Sequence, residues 1–172
     1  MAIHLLALPK NQIGLLKPHW EALRDHHAER TNSFHSYYET ALFDKRAASL
    51  LKRDQLGLFV CTDVDSSSGD VDRLSSEQIA AFAICSLDGT AGEVDSLYVS
   101  PHSRGLDLGS KLLSEARRWF DGHGATSIRL YVGDGNEDVI EFYAKNGFKV
   151  RATQMQWIDP SETSSIEKLN SS

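Results

Sequence analysis

Several features that would assign this chain to a familiar class are scarce or missing. It has only two cysteines, Cys61 and Cys85, and no Cys-x-x-Cys pair, so we expect two buried thiols in a reducing compartment. No apolar run approaches the roughly 18 residues that a membrane-spanning helix needs. The N-terminus has neither a basic region nor a small-residue cleavage site, which predicts a first strand rather than a signal peptide.

Other common classes are disfavoured by charge and motif. The net charge of −6 disfavours a nucleic-acid surface and favours a cationic or amine-bearing substrate. His26 and His27 are adjacent rather than spaced as His-x-x-x-His, so they point to different helix faces and no metal site is expected. Residues 100–103 lack the elbow glycines of a serine hydrolase. The expectation is a cytoplasmic protein without membrane or nucleic-acid partners.

Length and composition predict one folded domain. The chain has 172 residues, of which 41% are hydrophobic and 24% charged. We expect a single domain over residues 1–158 and a polar, frayed tail over 159–172. The polar stretch 63–77 predicts an exposed loop between two hairpin strands.

Hydrophobic patterning predicts mixed strands and helices. Strands are expected at 2–8, 56–62, 78–87, 93–99, 128–132 and 148–158. Helices are expected at 11–30 (with Pro18 in the first turn), at 34–52 as one helix or two, at 109–120, and after residue 136. This order predicts an α+β fold. In the strand at 93–99, alternation puts Glu93 and Asp95 on one face with Leu97 and Val99, opposite Val94, Ser96 and Tyr98.

The stretch from Glu93 to Phe120 joins a strand, a turn with Gly105 and Gly109, and an amphipathic helix. Glycines there leave the backbone uncovered at a helix N-terminus, whose free N–H groups and dipole attract anions. The stretch therefore predicts a site for a phosphate-bearing ligand. An ordinary strand–turn–helix, in which the glycines only relieve a tight turn, is the alternative.

A second segment, residues 128–148, adds a strand, Asn136 before a short helix, and closing residues Gly147 and Phe148. Together the two segments resemble the GNAT superfamily of acyl-CoA-dependent N-acyltransferases. The family's aliphatic-aromatic-Val-x-Pro run is matched by residues 97–101, and its Arg/Gln-x-x-Gly-x-Gly/Ala loop by 104–109. The resemblance implies a mixed, largely antiparallel central sheet flanked by helices. Two strands, ending near Val99 and Val132, would splay apart and form an acyl-CoA cleft.

The resemblance also implies an activity and a set of site residues. The activity is transfer of an acetyl group from acetyl-CoA, the cosubstrate, to a primary amine by direct attack in a ternary complex. Tyr143 would be the general acid and Glu93 the base. Glu93 and Asp95 face the same side in the expected strand, so one of them would be the base while the other anchors the substrate. The Val99 amide would stabilise the oxyanion. The residues implied to bind acetyl-CoA are Leu97, Tyr98, Val99, Arg104, Gly105, Leu106, Asp107, Leu108, Gly109, Ser110 and Asn136.

The first helices would shape the acceptor pocket. The candidate residues are Trp20, His27, His35, Tyr37 and Tyr38, although core packing explains their aromatic rings almost as well. Basic residues near the loop, Arg104, Lys111, Arg117 and Arg118, would offset the acidic net charge around the phosphates.

The chain departs from the family pattern at Asp107, where a central glycine is usual. Aspartate tolerates positive φ, and its carboxylate would also cap the helix by accepting from the amide of Gly109 or Ser110. The same carboxylate repels a pyrophosphate. A catalytically inactive GNAT-like binding or regulatory module is therefore the alternative function. An interaction protein that recruits a partner through the 63–77 loop and the tail over 159–172 is a third. The acceptor stays open, whether small molecule or peptide, as does the choice between monomer and homodimer.

Overall fold

The structure is a computed structural model, which describes residues 3–63 and 71–159. Its strands are β1 (His4–Leu8), β2 (Gln55–Thr62), β3 (Ile79–Asp88), β4 (Ala91–Val99) and β5 (Ser127–Arg129). Its α-helices are α1 (Lys17–Arg30), α2 (His35–Glu39), α3 (Phe43–Leu50), α4 (Leu108–Gly122) and α5 (Ile140–Lys145). Short 3₁₀ helices occupy Lys10–Leu16, Val71–Arg73, Ser76–Gln78, Pro101–Ser103 and Glu137–Val139. No helix in these two ranges is long and apolar enough to span a membrane.

The five strands form one mixed sheet in the order β1-β2-β3-β4-β5. The first four strands pair antiparallel with their neighbours, and β5 pairs parallel with β4. Helix α4 lies in the connection between β4 and β5, because two parallel strands need a crossover connection, which is usually helical. The predicted fold class, a mixed and largely antiparallel sheet flanked by helices, is confirmed.

Each face of the sheet has its own core. On one face, Leu16 and residues Phe43 and Leu50 of α3 pack with Leu58 and Phe82 of the sheet. On the other face α4 buries the apolar stripe that the sequence predicts, formed by Leu112, Leu113, Ala116 and Phe120, against residues that include Phe59 and Cys85. The predicted pair of buried thiols is confirmed, because Cys61 and Cys85 are both free and buried.

The side-chain alternation of β4 is interrupted at Asp95. Ser96 pairs with Ile84, whereas Val94 pairs with Cys85, so β4 has one extra residue there, as in a β-bulge. Val94 therefore packs in the same core as Leu97 and Val99, which lie on the α4 side. Tyr98 packs in the opposite core. The predicted placement of Leu97 and Val99 opposite Val94 is wrong, because simple alternation does not count the extra residue.

Two further expectations about the elements have different outcomes. The helical stretch 34–52 forms two helices, which was one of the two alternatives. The strand predicted at 148–158 is not formed: the segment pairs with no described strand, and Val150, Met155 and Trp157 are 67%, 92% and 79% exposed. An alternating sequence makes a strand only where a neighbouring edge accepts its hydrogen bonds.

Two expected polar segments extend beyond the described residues. The predicted loop at 63–77 contains two 3₁₀ turns where it is described, and its residues 64–70 lie outside. The expected frayed tail likewise lies outside from residue 160 onward.

Candidate active site

A cleft opens where β4 and β5 separate. Their pairing ends at Glu93 and Arg129, while β4 continues to Val99. The cleft has a volume of about 680 Å³. It is lined by β4 from Val94 onward, by the loop before α4, by α1, and by the segment from Leu130 into α5. Because β5 has turned away, the β4 edge that faces the cleft has no strand beside it.

The turn before α4 has the left-handed conformation that the sequence suggested. Asp107 has φ 57° and Gly105 has φ 81°. Aspartate is among the few residues with a Cβ that accept this region, so the departure at Asp107 is compatible with the loop. The expected capping hydrogen bond from the start of α4 to the Asp107 side chain is not formed. That part of the expectation is wrong, and the carboxylate is left at the surface.

Gly109 is required for a reason that the motif alone does not reveal. A Cβ at this position would lie 2.8 Å from the ring of Phe142 on α5. The absence of a Cβ at Gly109 therefore lets the Phe142 ring approach the start of α4, next to the helix that carries Tyr143. The first amides of α4 have no carbonyl partner within the helix and point toward the turn, as at any helix N-terminus.

Nearly all the predicted ligand-binding residues line this cleft. The lining includes Leu97, Tyr98, Val99, Arg104, Gly105, Asp107, Leu108, Gly109, Ser110 and Asn136. Leu106 is not in the lining, and its side chain is 52% exposed. Of the expected basic residues, Arg104 lines the cleft, and Arg118 instead pairs with Glu115 on the outer face of α4.

Tyr143 lies in the cleft wall between two other rings. It packs edge-on against Phe142 and Phe148, with ring centroids 5.2 and 6.0 Å apart. Burial raises the pKa of Tyr143 to about 12. The phenol is therefore protonated at neutral pH and is able to donate a proton to a basic group that forms in the cleft.

Asn136 is buried at the cleft without completing its hydrogen bonds. Its side chain does not cap the short helix that follows, and its Oδ1 has no partner among the described residues. A buried amide oxygen without a partner costs free energy. Asparagine is also a common helix cap, and the absence of that bond here favours a ligand contact for Asn136.

The two acidic residues of β4 are placed differently. Glu93 pairs with Arg129 at 3.0 Å, at the point where β4 and β5 part, and it is not in the cleft lining. Asp95 lines the cleft, but its side chain is fully buried and pairs with Arg46 of α3 at 2.7 Å. Burial raises the pKa of Asp95, and the Ser86 hydroxyl and Arg46 oppose the rise.

Of the five residues suggested for an acceptor pocket, His27 is in the cleft lining. Tyr38 lies directly behind it, with the two rings stacked at 5.4 Å. Trp20 packs against Phe43 in the core, and His35 bonds the carbonyl of Ala28. Tyr37 lines a separate hollow of about 420 Å³ beside residues 156–159.

A set of contacts that sequence reasoning missed closes this end of the cleft. The Arg30 guanidinium donates to the carbonyl of Gly135 at 2.9 Å and pairs with Asp138 at 3.0 Å. Asp134 accepts from the Thr31 hydroxyl at 2.9 Å and from the amide of Asn32 at 2.7 Å. These contacts, called the Arg30–Asp134 clasp below, hold the end of α1 against the segment after β5. Such pairs, about a hundred positions apart, give no local sequence signal.

The fold, the cleft and its lining define the class of protein. Residues 20–148 match the acetyltransferase (GNAT) family, and the chain belongs to that family. A curated relative, an uncharacterized N-acetyltransferase of Methanocaldococcus jannaschii, is 28% identical over 109 residues, which are 63% of this chain and 46% of the relative. The chain thus spans about half the length of the curated relative it matches.

Solved structures agree on the fold. The PaiA N-acetyltransferase of Thermoplasma acidophilum, solved with coenzyme A, has a TM-score of 0.65 and 21% identity over 90% of this chain and 94% of its own. A GCN5-related N-acetyltransferase of Ralstonia eutropha has a TM-score of 0.66 and 18% identity over 91% and 99%. An aminoglycoside acetyltransferase from a soil metagenome, in complex with sisomicin, has a TM-score of 0.57 and 11% identity over 91% and 95%.

Proposed function

We propose that this protein transfers an acetyl group from acetyl-CoA to a primary amine by direct attack in a ternary complex. The observation that carries the proposal is the cleft between β4 and β5, which connects the helix N-terminus of α4 with the phenol of Tyr143. Membership in the GNAT family supports the donor, as does a structural neighbour that binds coenzyme A.

The turn from Arg104 to Ser110 would bind the pyrophosphate. Its uncovered amides and the positive end of the α4 dipole favour an anion, and Arg104 adds a full charge. The main chain of Leu97–Val99 would pair with the amide groups of the pantetheine arm, as an added strand pairs with a sheet edge. The orphaned oxygen of Asn136 would accept from the same arm. The residues present therefore fit acetyl-CoA.

The chemistry needs a neutral amine, an oxyanion donor and an acid. The amine nitrogen would attack the thioester carbonyl carbon, and the Val99 amide would donate to the oxygen as it becomes negative. When the carbon–sulfur bond breaks, Tyr143 would give its proton to the departing thiolate and recover one from solvent. Glu93 stays a prediction for the base, and its ion pair with Arg129 outside the cleft lining means it would act through water.

The chain itself supports neither a covalent intermediate nor a defined acceptor. Cys61 and Cys85 are buried in the sheet and are not in the cleft lining, and burial raises the pKa of Cys61 to about 11. A thiolate nucleophile is therefore disfavoured, which supports direct attack. A small-molecule or peptide amine, a cytoplasmic location and a homodimer all stay predictions.

The test is calorimetric titration with acetyl-CoA, followed by a thiol-release assay with a panel of amines. Acetyl-pantetheine, which lacks the pyrophosphate, is the matched control ligand. We expect micromolar binding of acetyl-CoA, much weaker binding of acetyl-pantetheine, and thiol release with at least one amine. Absence of acetyl-CoA binding up to millimolar concentration would reject the proposal.

An inactive binding module is the second candidate. The observation that favours it is the carboxylate of Asp107, which is exposed and does not cap α4. This candidate predicts acetyl-CoA binding without thiol release for any amine in the panel.

A further inference from the structure

We call the part of the cleft next to α1 and the segment after β5 its acceptor end. The charged groups around it are already paired. Asp95 pairs with Arg46, and Asp138 pairs with Arg30. Glu93 pairs with Arg129 outside the lining. In each pair the guanidinium occupies one carboxylate oxygen at hydrogen-bond distance. Of the three, Asp95 is the competitor of His27, because it lines the cleft and its Oδ2 is buried without a hydrogen-bond partner among the described residues.

His27 differs from these carboxylates in having no charged partner to hold it. It lies on α1 in the cleft lining, and its ring stacks on Tyr38 with an interplanar angle of 18°. Its Nδ1 is buried without a hydrogen-bond partner among the described residues. A Cβ built on Gly133 would lie 3.8 Å from that nitrogen and 2.5 Å from the Tyr38 hydroxyl, which places the stacked pair against the chain just beyond β5. With Nδ1 enclosed, the nitrogen able to meet a ligand in the cleft is Nε2.

The surroundings of His27 keep its imidazole neutral. Burial lowers the pKa of His27, and the nearby His26 and Arg30 lower it further. The other titratable groups on the elements packed around it include Tyr38 of α2, Asp95 and Tyr98 of β4, and Tyr131, Asp134, Glu137 and Asp138 after β5. Of these, Asp95 is paired with Arg46, Asp138 with Arg30, and Asp134 is held by Thr31 and Asn32. A neutral imidazole is the form that accepts a proton.

We infer that His27 is the proton acceptor for the incoming amine. The inference rests on the proposed function and names His27 as its base in place of Glu93. The imidazole Nε2 accepts one proton from the protonated amine, directly or through one water, and this frees the lone pair that bonds to the thioester carbon. The second proton leaves the nitrogen for solvent when the carbon–sulfur bond breaks, and Tyr143 recovers from solvent the proton that it gives to the thiolate. The proton on His27 passes to solvent after the product leaves. His27 on α1 and Tyr143 on α5 then serve as base and acid in one cleft.

The first experiment compares wild-type protein with His27→Gln, using benzylamine and aniline as acceptors. Benzylamine is protonated at neutral pH and needs a base, whereas aniline is already neutral. We expect His27→Gln to lower kcat/KM for benzylamine about 100-fold, the range of a general base. For aniline the loss should be several times smaller. Equal losses for both amines, or no loss, would overturn the inference. His123→Gln is the control, because His123 lies at the far end of α4.

The pH profile separates proton transfer from a merely structural role. In the wild-type protein, kcat/KM for benzylamine should fall as pH drops through a pKa below the ordinary histidine value of about 6.5. In His27→Gln this limb should disappear, whereas a packing defect would lower the whole curve and keep the limb.

NMR titration of the His27 imidazole tests the inference without measuring turnover of either amine. A His27 signal that is neutral at pH 7 and shifts when benzylamine is added to the CoA complex supports the inference. A ring that is protonated at pH 7, or unaffected by the amine, overturns it. Because the titration starts from the CoA complex, failure of His27 is distinguishable from failure to bind acetyl-CoA.

Discussion

The two ends of the cleft are built in different ways. At the α4 end, one continuous stretch from Leu97 to Ser110 supplies the strand edge, the turn and the helix start, and much of its contact surface is main chain. At the acceptor end, side chains from α1 and α2 meet the segment after β5, and the Arg30–Asp134 clasp joins them. The first end is where we propose that the donor binds, and the second is where we propose that the acceptor binds. Substitutions at the two ends should therefore separate donor binding from acceptor use.

The largest effect is expected at Tyr143, which lies between the two ends. Tyr143→Phe removes the acid for the thiolate and keeps the aromatic packing against Phe142 and Phe148. Turnover should fall about 100-fold, while calorimetry shows nearly unchanged affinity for CoA. Equal turnover in the variant would remove Tyr143 from the mechanism.

The contact between α4 and α5 gives the next effect. Gly109→Ala places a Cβ 2.8 Å from the Phe142 ring, so the helices must move apart. We expect a loss of about 1–3 kcal/mol in the free energy of unfolding, measured by urea denaturation, together with weaker acetyl-CoA binding. Gly122→Ala, in the same helix but with open space around it, is the control and should not destabilise the protein. If both variants behave alike, the contact with Phe142 does not explain the glycine.

Asp134→Ala should have a smaller effect, limited to stability and to use of the acceptor. The carboxylate accepts hydrogen bonds from Thr31 and from the amides of Asn32 and Ser33, so its loss should cost about 1–2 kcal/mol of stability. The acceptor KM should rise while acetyl-CoA affinity is unchanged. A change in acetyl-CoA affinity would show that the two ends are not independent.

The same carboxylate gives a pH dependence. The amide of Asn32 and the hydroxyl of Thr31 lower the pKa of Asp134. Its contribution to stability should therefore be complete above the unfolded-state pKa of about 4 and be lost as the pH falls below it. Urea midpoints of wild type and Asp134→Ala should converge in acid.

The smallest effect is expected at the donor end, from Asp107→Asn. Asparagine tolerates the left-handed conformation that Asp107 has, and it removes the charge near the phosphates. Acetyl-CoA should bind about two- to fivefold tighter at low salt, with little difference at high salt. Asp107→Gly should give a similar gain, and weaker binding in both variants would mean that the aspartate stabilises the loop.

The contrast between the two ends also explains what the sequence predicts. The strand–turn–helix around Gly105 and the stripe of α4 follow from residues close together in the chain, and both are present. The extra residue at Asp95 could not be predicted, because it depends on how β3 and β4 pair. The clasp depends on contacts between residues such as Arg30 and Gly135, which become neighbours only after folding. The strand expected at 148–158 failed for the same reason, since its pattern contains no information about a partner edge.

The extra residue at Asp95 means that the lining of the cleft depends on the number of residues in β4 as well as on their identity. Without Asp95, Val94 and Leu97 would be two positions apart in a simple two-residue repeat, so Leu97 and Val99 would still face α4 and Tyr98 would still face the opposite core. The strand would lose its local irregularity and the carboxylate that pairs with Arg46, but no side chain after the deletion would change faces. In relatives of this chain, a one-residue gap at Asp95 would therefore predict a regular β4 with the same residues turned toward the cleft, whereas a one-residue gap in a regular part of the strand would turn the following side chains over.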